Sequence, residues 1–476
     1  MLFNSFSFAL FLPITFALYW ILPHKFRWVF LLLSSYFFYM CWNPVYIFLI
    51  ILTTVITYLS ARFIERSSST KKRKWILAGA VISCLGILFV FKYFNFFFAS
   101  LAQILHFFSI PFSSVVADLI LPVGISFYTF QTMSYVIDVY RGTIGAERHF
   151  GYYATFISFF PQLVAGPIER ADHLLPQIKA EHVFDYQLAT YGLKQMAWGY
   201  FKKMVIADTL AVYTGSVFTN PTDFHGMSLV LAVFAFTLQI YCDFSGYSDI
   251  AIGTAKLFGV KLVENFRAPY FSASIQEFWR RWHISLSEWM RDYIYIPLGG
   301  NRKGRARQNV NLISTFLVSG LWHGANWTFV VWGGLHGLAQ VVERYLPKRR
   351  KDAKVGRIFN IIVVFLFVAF AWTFFASESL SDAVYIITHL FEGIGNPAAY
   401  LHNGMQTNLP WESIRFLVIS IVLLGIFDYA SLKCDVIEKI SSMKKGVRWS
   451  IYTAFLVWLL MNIQIADNSQ FIYFQF

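Results

Sequence analysis

The chain has 476 residues, of which 57% are hydrophobic, 20% aromatic and only 14% charged, and its formal net charge is +13. Because a soluble domain carries about 25% charged residues, this composition excludes most soluble folds and indicates a polytopic membrane protein. The basic residues form short clusters between hydrophobic segments and do not form one basic face, so the pattern argues against nucleic-acid binding.

Apolar runs of helical length recur along the whole chain, without the alternating pattern of transmembrane β-strands. They lie near residues 5–22, 27–42, 44–63, 75–94, 118–136, 187–213, 227–243, 309–322, 326–342, 358–376, 412–430 and 448–465. The sequence therefore predicts an all-α, polytopic integral membrane protein with roughly a dozen transmembrane or re-entrant helices. We expect one domain over residues 1–476, with a catalytic core at about 150–345, where polar residues and glycines are embedded among aromatics.

Basic clusters lie in the loops at Lys71–Lys74, Arg302–Arg307, Lys348–Lys351 and Lys444–Lys445. The positive-inside rule explains them as cytoplasmic loops; binding of an anionic substrate by one cluster is the alternative. The four cysteines form no C-x-x-C pair and no zinc-binding spacing occurs, so we predict no metal site.

Prolines at 161 and 167 flank Gly166 and exclude one undisturbed helix, which predicts a broken or re-entrant hairpin. Glu169 and Arg170 follow it, as a functional or a structural ion pair. Lys202 and Lys203 precede the next polar motif, and we expect their side chains to snorkel, with the charged ends at a membrane interface.

The motif Tyr241–Asp249 contains two aspartates, Asp243 and Asp249, that would not share a helix face. We expect Asp243 either to form hydrogen bonds, for example to orient a histidine, or to cap a helix end. A paired-carboxylate mechanism is poorly supported at this spacing.

Residues 278–292 carry an apolar stripe, which predicts one amphipathic helix that ends at Pro297. The stripe consists of Trp279, Trp282, Leu286, Trp289, Tyr293 and Ile296. His283 lies at its edge. We interpret this residue as functional, and an interfacial helix with an incidental histidine is the alternative.

The segment Ser319–Trp327 places His323 between Gly320 and Gly324. Histidine is costly in hydrocarbon, titrates near neutral pH, and here has neighbours that permit close approach of backbone or substrate. The pattern predicts that His323 is the reactive residue of a buried active site. His336 follows among glycines that indicate close helix packing, and we interpret it as structural, with support of the site as the alternative.

At these residues the chain resembles the membrane-bound O-acyltransferase (MBOAT) family, and more closely its bacterial alginate O-acetyltransferase branch. The resemblance covers nearly the whole chain and rests on paired motifs, Phe-Trp-Arg-Arg-Trp-His at 278–283 and Gly-Leu-Trp-His-Gly at 320–324. Further matching segments are Trp42–Pro44, Phe160–Arg170, Tyr241–Asp249, Tyr295–Gly300 and Phe471–Phe476.

The resemblance implies a ring of helices around a central tunnel, with His323 as the invariant histidine and His283 as the second polar position. It implies transfer of an acetyl group from a cytoplasmic thioester, acetyl-CoA, to a polysaccharide outside the cytoplasmic membrane of a bacterium, without a bound cofactor. The expected partners are membrane lipid and a separate extracytoplasmic acetyltransferase with a serine-hydrolase-like (SGNH) fold.

Within this scheme His323 acts as a base or forms an acyl-histidine, and a hydrogen bond from His283 orients the donor or stabilises the oxyanion. We expect the other candidate residues to support the site or line the tunnel: Trp322, Trp282, Asp243, Ser319, Asn326 and His336. Arg302, Arg305 and Arg307 are candidates for binding donor phosphates.

Several other functions fit the same sequence. A D-alanyl transferase that uses a carrier protein, or a peptidoglycan O-acyltransferase, belongs to the same family; the aromatic C-terminus and Trp42–Pro44 favour the acetyl branch. A transporter or a scaffold subunit without chemistry is the alternative of another class, since buried polar groups and broken helices also occur in transporters.

Overall fold

The computed structural model describes residues 1–164, 166–346, 354–404, 409–463 and 471–472. Across these ranges the regular structure is helical and contains no β-strand, so the all-α prediction is confirmed. The helices are α1 (Phe6–Ile21), α2 (His24–Met40), α3 (Ile47–Arg66), α4 (Thr70–Leu88), α5 (Phe94–Phe107), α6 (Ile125–Arg141), α7 (Phe150–Ser158), α8 (Phe160–Leu163), α9 (Ala171–Lys179), α10 (Tyr186–Tyr200), α11 (Asp208–Thr219), α12 (Met227–Leu257), α13 (Ile275–Trp279), α14 (Ile284–Met290), α15 (Gly304–His323), α16 (Trp327–Tyr345), α17 (Lys354–Ala376), α18 (Leu380–His389), α19 (Pro397–Gly404), α20 (Trp411–Ser431), α21 (Val436–Ser441) and α22 (Lys445–Asn462).

Five helical stretches in the described part of the chain are long and apolar enough to cross a membrane. They are Pro44–Arg66, Thr70–Phe107, Met227–Leu257, Val355–Ala376 and Trp411–Ser431. These stretches support a multi-pass membrane protein, because each is at least about as long as a bilayer-spanning helix and is predominantly apolar. The larger count of about a dozen spanning or re-entrant helices stays a prediction.

Helix ends differ from the predicted runs where glycine, proline or a π-helical turn intervenes. The run predicted at 75–94 continues through a π-helical turn at Phe89–Tyr93 into α5. The run predicted at 118–136 begins only at Ile125, because Pro122 precedes it and Gly124 takes a left-handed conformation with φ of 75°. The run predicted at 227–243 extends to Leu257, so the Tyr241–Asp249 motif lies inside a helix and does not cap one.

The chain forms two compact units, and the single-domain prediction stays a prediction. The first unit comprises Met1–Leu193 and Ala251–Val263. In it, α3 packs against α4 and α6, and α2 packs against α7. The hydroxyl groups of Thr57 on α3 and Tyr153 on α7 lie 2.8 Å apart. This buried hydroxyl contact joins α3 to α7 inside the first unit.

The predicted break at 160–170 is confirmed inside the first unit. The short helix α8 carries Pro161 in its first turn, and Pro167 follows in non-helical backbone. Glu169 is fully buried; its carboxylate lies 2.6 Å from His173 Nδ1 and accepts the N–H of Val263 at 2.7 Å. These contacts favour a structural role for Glu169.

The second unit comprises Lys194–Ile250 and Glu264–Phe476. Its centre is a helical hairpin made by α15 and α16, against which α13 and α17 pack. A π-helical segment, Phe201–Ala207, connects α10 to α11 and widens the helix at two lysines. Both candidate histidines, His283 and His323, belong to this unit.

Candidate active site

His323 is the last residue of α15, and the hairpin turn that follows it is built for close packing. A Cβ atom on Gly320 would lie 2.2 Å from the carbonyl oxygen of Phe329, and one on Gly324 would lie 2.0 Å from the Phe329 ring. Asn326 caps α16, because its side-chain oxygen accepts the N–H of Thr328 at 3.1 Å. The glycines therefore bring two helices together beside His323, as the motif predicted.

The imidazole of His323 is 2% exposed and lies among aromatic rings. The ring centroids of Trp322, Trp332 and Phe375 lie 4.9, 5.1 and 5.5 Å from it. Such a shell of aromatic rings shields the imidazole from bulk water. Ser319, one helical turn before His323, is 4% exposed.

His283 lies in the same pocket, and the centroids of the two imidazoles are 6.4 Å apart. It is fully buried, and the rings of Phe244 and Trp322 lie 4.7 and 6.0 Å from it. The pairing of the two Trp-His motifs in space is what the sequence led us to expect. The sequence did not predict the local backbone.

The predicted continuous helix through residues 278–292 is wrong. Helix α13 ends at Trp279 and α14 begins at Ile284, with His283 between them at φ 42° and ψ 56°. This left-handed conformation is costly for a residue with a Cβ atom, by about 1–3 kcal/mol, and persists only where surrounding contacts hold it. Because of the break, His283 caps α14 and does not lie on its surface.

Asn265 is the neighbour that holds His283, and sequence reasoning missed it. Its side-chain oxygen lies 3.2 Å from His283 Nδ1 and 2.8 Å from the hydroxyl of Ser285. Its backbone carbonyl accepts the N–H of Ile284 at 3.0 Å. No motif marks Asn265; the only available signal is a polar amide in the loop before the Trp-His helix pair.

Burial lowers the pKa of His283 to about 3. The cause is desolvation, which penalises the charged imidazolium. His283 is therefore a neutral imidazole at physiological pH. A neutral ring offers one N–H donor and one lone pair, so its role depends on which nitrogen carries the proton.

The next aromatic layer contains His336. Its Nδ1 accepts the indole N–H of Trp279 at 3.2 Å, and its ring lies 5.1 Å from that of Trp332. The ring of Trp332 in turn contacts His323, so His336 lies one aromatic ring away from the imidazole of His323. The geometry supports the structural interpretation of His336. Trp282 is also fully buried, with its ring 5.0 Å from Trp372.

The prediction that Asp243 orients a histidine is not what the structure shows. Its carboxylate forms an ion pair with Lys203 and accepts the backbone N–H of Ile472 at 2.8 Å. Lys203 also pairs with Asp208 at 2.9 Å, and Lys202 pairs with Asp249 at 2.6 Å. Both lysines are buried, so the prediction of snorkelling lysines is wrong. The π-helical turn places both lysines inside, where the aspartates neutralise them.

The basic residues Arg302, Arg305 and Arg307 are all exposed; Arg302 lies just before α15, and Arg305 and Arg307 lie in its first turn. His323 lies at the other end of the same helix, about 30 Å away at a rise of 1.5 Å per residue. They are not part of the histidine pocket. Within the described ranges, no three His, Cys, Asp or Glu side chains converge into a set that would hold a metal ion.

Comparison with known proteins gives one consistent family. The family model described as MBOAT, membrane-bound O-acyltransferase, matches residues 146–380. The probable alginate O-acetylase AlgI of Pseudomonas putida is 37% identical over 99% of this chain and 99% of its own length. The peptidoglycan O-acetyltransferase of Helicobacter pylori is 37% identical, covering 81% of this chain and 79% of its own.

A more distant relative is the teichoic acid D-alanyltransferase of Bacillus subtilis. It is 27% identical over 55% of this chain and 70% of its own length. The near-complete match to the Pseudomonas putida protein, together with the family match across the histidine pocket, decides the assignment. The chain belongs to the membrane-bound O-acyltransferase family and is a membrane-bound O-acyltransferase.

Proposed function

We propose that this chain transfers an acetyl group from acetyl-CoA, on the cytoplasmic side, toward hydroxyl groups of an extracytoplasmic polysaccharide such as alginate or a related exopolysaccharide. The observation that carries the proposal is the pair of buried imidazoles, His283 and His323, 6.4 Å apart in an aromatic pocket. Relatives named as an alginate O-acetylase and a peptidoglycan O-acetyltransferase support both an acetyl group and a glycan acceptor.

The reaction transfers the acetyl group from the sulfur of the thioester to the oxygen of the acceptor hydroxyl. The attacking hydroxyl loses its proton to the neutral imidazole of His323 as its oxygen bonds to the thioester carbonyl carbon. The tetrahedral intermediate collapses, the carbon–sulfur bond breaks, and the imidazolium returns the proton to the thiolate. Attack by His323 itself, with an acyl-imidazole as intermediate, is the alternative route and gives the same products.

The basic turn Arg302–Arg307 supports an anionic donor. Arginine binds phosphate through charge-assisted, often bidentate hydrogen bonds, and the exposed guanidinium groups of Arg305 and Arg307 lie on the first turn of the helix that ends at His323. A donor that is extended along α15 would therefore place its phosphates and its thioester at opposite ends of one helix.

The cellular setting follows from the same proposal. The chain is a multi-pass protein of the bacterial cytoplasmic membrane, where acetyl-CoA is available on one face and surface polysaccharide on the other. An extracytoplasmic acetyltransferase with a serine-hydrolase-like fold is the proposed partner that completes transfer to the polymer. Peptidoglycan is the second candidate acceptor, favoured by the Helicobacter pylori relative.

The test uses membranes from a host that lacks the gene and carries either the wild-type chain or His323→Ala. Radiolabelled acetyl-CoA is added, and label is followed into polysaccharide, peptidoglycan and lipid-soluble fractions. Val310→Ala is the matched control, because Val310 is exposed on the same helix. Label in polysaccharide with wild type and control but not with His323→Ala supports the proposal. Label in peptidoglycan selects the second acceptor, and label in no fraction contradicts acetyl-CoA as donor.

A further inference from the structure

The side-chain amide of Asn265 has a fixed orientation. Asn265 is 1% exposed, and its Oδ1 accepts the hydroxyl of Ser285 at 2.8 Å and the backbone N–H of Ser285 at 3.3 Å. A backbone N–H is only a donor, so the atom that it meets is the amide oxygen and not the amide nitrogen. The orientation of the amide therefore follows from its partners.

The same oxygen decides the tautomer of His283. Oδ1 of Asn265 lies 3.2 Å from His283 Nδ1. An amide oxygen has only lone pairs, so a hydrogen bond at this distance requires the proton on Nδ1. Since the buried imidazole is neutral and has one N–H, its Nε2 carries a lone pair. His283 thus presents a hydrogen-bond acceptor at Nε2.

The backbone is arranged to maintain this contact. The N–H of Ile284 donates to the carbonyl of Asn265 at 3.0 Å, and the N–H of Arg267 donates to the carbonyl of Arg281 at 3.0 Å. These two hydrogen bonds join residues 265–267 to residues 281–284 on both sides of His283 and so hold its left-handed conformation. Strain retained beside a reactive pocket is typical of pre-organised sites.

We propose that Asn265 is a positioning residue that locks His283 in the Nδ1–H tautomer, so that His283 Nε2 accepts a hydrogen bond from substrate. The lock excludes donation from Nε2 to the thioester carbonyl, which the sequence had led us to expect. The group that His283 binds is a hydrogen-bond donor: the acceptor hydroxyl, or an amide N–H in the arm of the thioester donor. The assignment of these substrates depends on the proposed function; the tautomer does not.

The tautomer is measured directly by NMR of protein labelled with 15N-histidine, in lipid. Ring nitrogens with and without a proton differ strongly in 15N chemical shift, and His283→Asn identifies the signals. The expected result is a protonated Nδ1 and an unprotonated Nε2 at pH 7. A protonated Nε2 in the wild type overturns the proposal, whatever substrate the protein uses.

The pH profile of acetyl transfer separates positioning from mere stability. In Asn265→Asp the carboxylate still accepts from Nδ1 but raises the pKa of His283, and a protonated His283 cannot accept a hydrogen bond at Nε2. Activity of Asn265→Asp should then be retained at alkaline pH. On acidification it should be lost at a higher pH than the activity of the wild type. Of the rings around His283 named above, only that of His323 is an ionisable side chain, and it is common to both proteins.

Two further variants complete the test. Asn265→Leu removes the lock, and kcat should fall by about 10- to 100-fold, the scale seen when a functional histidine loses the outer-shell partner that fixes its tautomer. Ser285→Ala keeps the backbone N–H that orients the amide, so its pH profile should match wild type. Folding is checked by thermal melting in detergent. Wild-type kcat in a folded Asn265→Leu protein contradicts the proposal, as does an unshifted profile in Asn265→Asp.

Measurements of KM distinguish the two groups that could donate a hydrogen bond to His283 Nε2. If the acceptor hydroxyl contacts His283, then His283→Phe raises KM for the acceptor and leaves KM for acetyl-CoA unchanged. If the amide N–H of acetyl-CoA contacts His283, then His283→Phe raises KM for acetyl-CoA and leaves KM for the acceptor unchanged. S-acetyl thioesters that lack this amide should then be equally good substrates for the wild type and for His283→Phe. Unchanged KM for both substrates contradicts a binding role for Nε2.

Discussion

Gly320 on α15 and Gly333 on α16 face each other so closely that a Cβ on either would lie 3.3 or 3.2 Å from the Cα of the other. The added Cβ would also lie 2.2 or 2.3 Å from a carbonyl oxygen of the opposite helix, that of Phe329 or Phe316. The position of His323, three residues after Gly320, depends on this contact. Small residues at helix crossings are the usual means of close packing in membranes.

Gly333→Ala should therefore destabilise the hairpin and reduce activity. Overpacking costs about 1–3 kcal/mol and more where backbone is the obstacle. The measurement is the melting temperature in detergent together with acetyl transfer. Gly334→Ala is the control, because its Cβ would meet only a Leu317 side-chain atom at 3.5 Å. Equal melting temperatures for the two variants would refute the proposed contact.

His336→Phe tests whether that histidine is structural. The substitution leaves the buried indole N–H of Trp279 without an acceptor, which costs about 1–3 kcal/mol, so melting should occur at lower temperature. Removal of both polar groups in Trp279→Phe/His336→Phe should restore part of the loss, because an unpaired donor no longer remains. A catalytic role predicts a different result: a folded single variant with unchanged melting and no acetyl transfer.

Lys203→Met should be among the most destabilising single substitutions in the chain. It leaves the carboxylates of Asp208 and Asp243 buried without their cation, and loss of one partner of a buried ion pair costs about 3–5 kcal/mol. The amount of folded protein in membranes and its melting temperature report the effect. Lys445→Met, at an exposed lysine, is the control. Equal stability of the two variants would mean that the ion pairs contribute little.

Neutralisation of the basic turn tests donor binding. Arg302→Gln, Arg305→Gln and Arg307→Gln together should raise KM for acetyl-CoA and flatten its dependence on salt, because screening acts on charge–charge attraction. The kcat at saturating donor should change little, since these residues lie far from His323 along α15. Neutralisation of Lys444 and Lys445 gives a matched loss of charge elsewhere. If neither the three arginine substitutions nor the two lysine substitutions change KM for acetyl-CoA, the basic turn has only a role in membrane topology.

Sequence reasoning identified the two histidines that the structure brings together, but not the residues that support them. The rarity of buried histidine and the two Trp-His motifs pointed to His283 and His323, and the glycines pointed to close packing. The helical stripe from Trp279 onward was misleading, because Trp282, Leu286 and Trp289 are buried although the backbone breaks at His283. Local periodicity does not reveal a single residue that tertiary contacts hold in a left-handed conformation.

The same limit explains the missed partners. Asn265 and His283 are 18 residues apart, and nothing near Asn265 marks it as different from other loop amides. Asp243 was recognised as a polar residue with hydrogen-bonding partners, but the partner proved to be Lys203 and not a histidine. Burial of Lys203 depends on a π-helical turn, which hydropathy does not predict. Both cases require contacts between segments distant in sequence.

The most direct test of the central claim is the O-acetyl content of the host's surface polysaccharide, compared between wild type and His323→Ala at matched amounts of folded protein in the membrane. Loss of acetyl groups in His323→Ala, with Val310→Ala unaffected, is the predicted result and makes His323 chemically essential. Normal acetylation in His323→Ala would contradict the account and would favour a transporter or scaffold subunit without chemistry.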